Sequence, residues 1–165
     1  MVIMRVLKCV FVINFFLLSS FRNFANNHLH RSSSSIRLNS FEAIEKEILD
    51  YINLHRKSIG LTPLRLNDVE SSAAAQHSYN MAAGKVSFGH AGFQKRIKKI
   101  SKELGSISSS AENVAYGNMN AREVVNVWLQ SPEHKKNIEG DYTLTGIAVS
   151  KNKKGVTYFT EIFTR

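Results

Sequence analysis

The segment from Val156 to Phe163 constrains this chain more than any other. Val156, Tyr158, Thr160 and Ile162 alternate with Thr157, Phe159, Glu161 and Phe163. Successive side chains of a strand point to opposite faces, so a strand with bulky groups on both needs cover on both. Leu144 to Ser150 reads as a second strand. Asn152-Lys153-Lys154-Gly155 supplies the turn between them, with Gly155 free to adopt positive φ.

The cover comes from helices upstream. Phe41, Ile44, Ile48, Tyr51, Ile52 and His55 recur at helical spacing, with Ser40 as the expected cap and Gly60 as the stop. Leu61 to Leu66 is extended because Pro63 forbids a helix interior. Asn67 caps the next helix, whose face carries Val69, Ala73, Ala74, His77 and Met81; its alanines allow close approach to a neighbour. After a turn-rich bridge from Val86 to Phe93, a short helix turns Phe93, Ile97, Ile100 and Leu104 inward. The run Lys95-Arg96-Ile97-Lys98-Lys99 reads as its solvated face. Glu112 to Tyr116 is a brief strand. Asn120 caps a helix that buries Val124, Val125, Trp128 and Leu129, and Ser131-Pro132 starts another. This order specifies an α+β domain with a mainly antiparallel sheet between helical layers.

Charge divides the chain. Residues 1–40 hold five Lys/Arg and no acid, while the rest holds seventeen basic and thirteen acidic residues, a net +4. That balance, without a basic stripe interleaved with aromatics, gives no footprint for nucleic acid. Residues 1–20 have a basic start and an apolar Val10–Leu18 run, the pattern of a signal peptide, with cleavage expected near Ser20 or Ala25. The alternative is an uncleaved anchor, against which Asn14 interrupts the apolar run. Residues 21–40, rich in Ser, Asn and Arg, read as a disordered linker or pro-segment. Export is therefore the expectation, with membrane contact only through the leader. A transit-like segment behind a signal peptide, leading to a plastid or other organelle, is the minor alternative. The only cysteine, Cys9, lies in the leader, so residues 41–165 have no disulfide, thiolate metal site or thiol nucleophile.

Three polar residues stand out. His90 lies 22 residues before Glu112, and His134 lies 22 after it. A His/Glu/His set suits a divalent cation or an acid–base pair. The spacing alone does not force convergence, because no HExxH or HxH places two ligands on one face. By spacing alone, three separate roles are the preferred reading: His90 closing a turn, Glu112 accepting backbone N–H bonds, His134 ordering the loop after the helix start. His55 and His77, each on an apolar face, read as hydrogen-bonded packing residues. No GxSxG, P-loop or dinucleotide fingerprint occurs.

The segments F-G-H (88–90), A-E-N-V-A-Y-G (111–117), V-W-L-Q-S-P-E-H-K-K-N-I (127–138), Y-T-L-T-G-I-A-V (142–149) and Y-F-T-E-I-F (158–163) together resemble the CAP superfamily. This is the SCP-domain group of cysteine-rich secretory proteins, antigen 5 and pathogenesis-related 1. N-L-H-R-K-S-I-G-L-T-P-L-R-L-N (53–67) is similar to the family's opening. The resemblance covers about residues 42–165 and is nearest the short, disulfide-free, bacterial-like branch. It implies a three-layer α–β–α sandwich over 41–165. It also implies a cleft with two histidines and two glutamates, able to hold Zn²⁺ or Mg²⁺ in some members. His90, Glu112 and His134 match three of the four positions. Ser131 stands where the second glutamate belongs, leaving the set incomplete. Glu133, two residues on, either supplies the missing carboxylate or favours a helix N-terminus; the second is preferred, because side chains two apart do not share a helix face. Glu161 departs from a common glutamine, and its direction is open.

Three functions follow as expectations. The first is a secreted module binding a small ligand, peptide or glycan at His90, Glu112 and His134, flanked by Tyr116 and Trp128, with Ser131 and Glu133 at its border and a metal as an option. The second is a metal-dependent, protease-like hydrolase with Glu112 as general base. The third is a structural or adhesive surface module. The sterol-binding members use a cysteine-containing loop that this chain lacks.

Overall fold

The computed structural model describes residues 41–165; the leader and linker expectations, and the Ser40 cap, lie outside the described residues. Helix α1 spans 41–58. It is followed by β1 (Arg65–Leu66), α2 (Asp68–Ala82), α3 (Phe93–Leu104), β2 (Ser110–Gly117), α4 (Ala121–Gln130), α5 (Pro132–Ile138), β3 (Leu144–Lys151) and β4 (Thr157–Thr164). The sheet order is β1-β3-β4-β2. β4 runs antiparallel to both neighbours, whereas β1 pairs parallel with β3 through Arg65–Leu144 and Leu66–Thr145. The sheet is thus mixed, with its long pairings antiparallel.

β4 lies at the centre of these pairings and is covered on both sides, as its alternation requires. Phe159 and Phe163 pack with Ile147 and Val149 against Ile48 and Ile52 of α1, Val124, Val125 and Trp128 of α4, and Ile138 of α5. Ile162 packs on the other face with Ala148, against Ala74 of α2 and Ile100 of α3. The result is a three-layer α–β–α sandwich.

α2 approaches the sheet most closely. A β-carbon at Gly146 would overlap the backbone of Glu70 and Ser71, so only glycine fits there. Asn67 starts this helix, its side chain accepting from the N–H groups of Val69 (2.9 Å) and Glu70 (3.3 Å). The side chain of Asn120 accepts from Glu123 N–H, and the Glu123 carboxylate returns the bond to Asn120 N–H, closing a capping box on α4. Ser131 precedes α5 at the cap position, but its hydroxyl makes no capping bond; Pro132 at the first helical position carries the start.

β2 forms one edge of the sheet. Its outward carbonyls are taken by side chains: Trp128 Nε1–H donates to Val114 O (3.4 Å), and Asn137 Nδ2–H to Glu112 O (3.4 Å). An edge so occupied is a poor template for another strand.

Two expectations change, and the open direction of Glu161 is decided. Trp128 is wholly buried and belongs to the core, so it does not flank a cleft. Leu104 is at the exposed end of α3. Glu161 is buried on the α1/α5 side, accepting from the Thr145 hydroxyl (3.2 Å), with its second oxygen unpartnered among the described residues. Burial holds its carboxyl well above the usual range, and the nearby Arg56 charge only partly offsets this. It faces neither solvent nor the His90 cluster.

Candidate functional site

The site begins with Glu112. β2 places its side chain on the α2/α3 face of the sheet, and the carboxylate is 1% exposed. A buried carboxylate needs compensating charge and hydrogen bonds. Arg96 of α3 provides both through a bidentate pair: Nε–H donates to Oε2 (2.8 Å) and Nη2–H to Oε1 (2.7 Å). His90 adds an Nδ1–H bond to Oε1 (2.9 Å). The imidazole of His90 is 51% exposed and turns its other nitrogen away from this bond.

His77 completes the cluster from α2. Its Nδ1 accepts from Arg96 Nη1–H (3.1 Å), which leaves the proton on Nε2, where it is donated to Gly89 O (2.8 Å). Nε2 lies 3.9 Å from Glu112 Oε1. Burial holds His77 below the ordinary histidine range, and the Arg96 charge adds to this against the pull of the Gly89 carbonyl. Arg96 Nη1–H also donates to Ala91 O (2.8 Å). The guanidinium therefore ties the 89–91 turn, α2 and β2 together.

The solvated-face reading of Lys95–Lys99 fails at Arg96. Lys95, Lys98 and Lys99 are exposed, but Arg96 follows Phe93 by three residues and precedes Ile100 by four. That spacing puts it on the inward face, a signal the sequence did contain. His77 likewise is more than a packing residue. It shares the buried face of α2 with Ala74, Ser78 and Met81, and that face looks onto Glu112.

His134 enters from α5. Asn113 Nδ2–H donates to His134 O (3.2 Å), and Asn137 Nδ2–H donates to Asn113 Oδ1 (2.8 Å), so α5 is bonded to β2 beside Glu112. Burial, then the proximity of His90, lowers the His134 pKa, and Glu133 only partly offsets this. Its Nδ1 is buried and has no hydrogen-bond partner among the described residues. Glu133 itself is exposed, and Ser131 is half-buried.

Beside the cluster is an aromatic shelf. Tyr116 follows Glu112 by four residues on the same face of β2 and stacks on Tyr158 (centroids 5.7 Å). Phe88, two residues before His90, meets Tyr116 edge to face (4.7 Å). Phe88 is 47% and Tyr116 56% exposed. A separate depression along α5, lined by Pro132, Lys136, Gly140 and Tyr142 among others, contains none of His90, Glu112 or His134. The chemistry is concentrated away from it.

Fold and cluster define the class: a three-layer α–β–α sandwich domain with a histidine–glutamate cluster at one side of its sheet. Within that class the chain belongs to the cysteine-rich secretory protein (CAP) family, whose pattern matches residues 49–163. It is 33% identical over 101 residues to the Bacillus subtilis (strain 168) protein YkwD, a match that takes 60% of this chain and 39% of YkwD. The chain thus spans well under half of that relative's length. Among solved structures it is similar to an outer surface protein of Borrelia burgdorferi (TM-score 0.61, 24% identity, 73% of this chain and 90% of that one). It is also similar to an extracellular SCP-domain protein of Bacillus anthracis str. Ames (TM-score 0.63, 21% identity, 76% of this chain and 41% of that one). Among the described residues no helix is long and apolar enough to cross a membrane.

The Zn²⁺ or Mg²⁺ that the family resemblance implies can be tested against the donor set. Among the described residues no three His, Cys, Asp or Glu side chains are grouped to hold an ion. Both oxygens of Glu112 are engaged by Arg96, and Nδ1 of His77 and of His90 are already bonded. Nε2 of His90 keeps a free lone pair, but with no third ligand grouped beside it among the described residues the set does not fit a bound cation.

Proposed function

We propose that the protein is a secreted or surface-displayed binding module that takes a small ligand, of the size of a sugar unit or short peptide, over His90, His134 and the aromatic shelf. The observation that carries this reading is the half-exposed His90 beside Phe88 and Tyr116, next to a carboxylate whose charge is already neutralised within the protein. Such a surface offers imidazole nitrogens for hydrogen bonds and ring faces for stacking, without a free charge. That combination suits hydroxyl- and amide-bearing ligands. The unpartnered Nδ1 of His134 supports the same reading, because a buried polar atom without a partner is costly unless a ligand or water meets it. The extracellular and outer-surface proteins that share the fold support export.

Hydrolysis draws less support. A general base needs a lone pair within reach of the proton it takes, and Glu112 has both oxygens in charge-assisted bonds. The test is to screen the protein on a glycan array and a tetrapeptide library, then to measure each hit by calorimetry. His90→Ala and Phe88→Ala should each weaken binding at least about tenfold, which is roughly 1.4 kcal/mol. The bound probe should be recovered intact. Hits whose affinity ignores both substitutions would overturn this reading, and cleavage of the probe that stops in Glu112→Gln would replace it with the hydrolase.

A further inference from the structure

We propose that the outward face of α3 is a docking surface for a linear, negatively charged polysaccharide, held by Lys95, Lys98, Lys99 and Lys102. This face is on a different side of α3 from the His90 cluster, and its occupation does not depend on what that cluster binds. The net charge of the folded domain is concentrated here. Of the seventeen basic and thirteen acidic residues in 41–165, α3 holds five and one, and the twelve of each sign outside it cancel. Arg96 spends its charge on Glu112, which leaves the four lysines and Glu103 to face outward.

The lysines follow one another at i, i+3, i+4 and i+7, the spacing of a single helix face. All four are exposed, whereas Arg96, Ile97 and Ile100 are turned inward. At a pitch of about 5.4 Å the stripe runs for roughly 10 Å along the helix. Among the described residues none of the four takes an ion pair, although Glu103 follows Lys99 by four. Pairs at that spacing do form elsewhere, between Lys46 and Asp50 and between Lys135 and Glu139. The ammonium groups of α3 are therefore free to meet anions from outside the chain.

The stripe offers charge and nothing else. Ile97 and Ile100 are committed to the interior, so the face has no apolar side chain to anchor in a bilayer. It has no aromatic ring on which a base could stack and no arginine fork for a phosphodiester. Lysine ammoniums act as separate point charges, which suits carboxylate or sulfate groups spaced along a chain. With the rest of the domain balanced, the field of α3 also steers such a chain to this face.

Binding of full-length protein to heparin and to polygalacturonate, one sulfated and one carboxylated, is measured by calorimetry at increasing NaCl. Residues 1–40 are also basic, so every variant carries the same N-terminus. Wild type should bind at least one of the two, with an affinity that falls as salt rises. Lys95→Gln/Lys98→Gln/Lys99→Gln/Lys102→Gln should weaken binding at least about tenfold and flatten the salt dependence. Arginine at the same four positions should hold the affinity within about threefold, as should Lys135→Gln/Lys136→Gln/Lys153→Gln/Lys154→Gln, which removes equal charge elsewhere. In wild type the bound polysaccharide should shift the amide resonances of α3 more than those of other elements, a readout that needs no variant to fold. Absence of binding, resonance shifts centred away from α3, or equal losses in the two glutamine variants would overturn the proposal. So would tighter binding to phosphatidylserine vesicles or to a DNA duplex that the α3 glutamine variant loses, since the face would then belong to that partner.

Discussion

Glu70 offers the sharpest test of the energetics. It lies on the sheet-facing side of α2, fully buried, with neither carboxyl oxygen in a hydrogen bond of good geometry. Burial pushes its pKa up to about 7 from 4.5, and the nearby Thr164 hydroxyl only moderates the shift. In the unfolded chain the group loses its proton near 4.5, and in the folded protein near 7. Between those values the folded state binds more protons, so stability falls as pH rises, and the loss is complete above the folded value. A shift from 4.5 to about 7, at ~1.36 kcal/mol per unit, corresponds to about 3 kcal/mol in full, of which roughly 2.5 kcal/mol is lost between about pH 5 and about pH 8.5. Glu70→Gln removes that dependence. Burying the amide adds a pH-independent offset, which cancels when the two pH values are compared. Glu45, also raised to about 7, and Glu161, raised by burial, contribute slopes of the same sign in both proteins and cancel too. Urea unfolding at the two pH values should therefore show wild type losing roughly 2–3 kcal/mol more than Glu70→Gln on going to the higher pH. Parallel losses, within about 0.5 kcal/mol, would refute a carboxyl held protonated by burial.

Further perturbations test other contacts. Gly146→Ala should destabilise by about 3 kcal/mol or more in urea unfolding, because the added carbon meets α2 backbone rather than a movable side chain; a change under about 1 kcal/mol would mean that α2 can shift freely. Arg56 is buried and donates to the carbonyls of Thr62, Ile138, Gly140 and Tyr142. Arg56→Met should cost about 3–5 kcal/mol by thermal or urea unfolding, since it strands buried acceptors where α1 meets the segment after α5. His134 has a lowered folded pKa, so its contribution is present above the unfolded value of 6.5 and is lost as pH falls. Wild type should therefore lose stability relative to His134→Asn on acidification from about pH 7 to about pH 5, with no difference in slope above about pH 7.5. A constant difference across the range would count against a desolvated imidazole.

Much of the fold was legible because local rules and global packing agree. Asn67 and Asn120 both cap where the sequence placed them, and Asn152 and Gly155 close the β3–β4 turn with Gly155 at φ 84°. The site was legible in part. Of the candidate residues, His90 and Glu112 meet directly, and the His134 carbonyl is bonded to Asn113, the neighbour of Glu112. Arg96 was misassigned, and His77, buried and hydrogen-bonded as expected, was not linked to Arg96 and Glu112, because each sits in a segment with a plausible simpler job. A basic run reads as a solvated face, and a histidine among alanines reads as packing.

The sequence by itself determined the elements, their order and the two-sided cover of β4, because periodicity, capping residues and turn residues act within a few positions of one another. It also carried the family likeness. Tertiary structure decided which polar groups pair. The bond between Arg96 and Glu112 joins α3 to β2 across sixteen residues of sequence, and that between Arg96 and His77 joins α3 to α2 across nineteen. The direction of Glu161, the burial of Trp128 and the parallel β1–β3 pair were decided in the same way. Each depends on which faces are stacked in three layers. The desolvation that forces a buried carboxylate to take Arg96 exists only once those layers have closed.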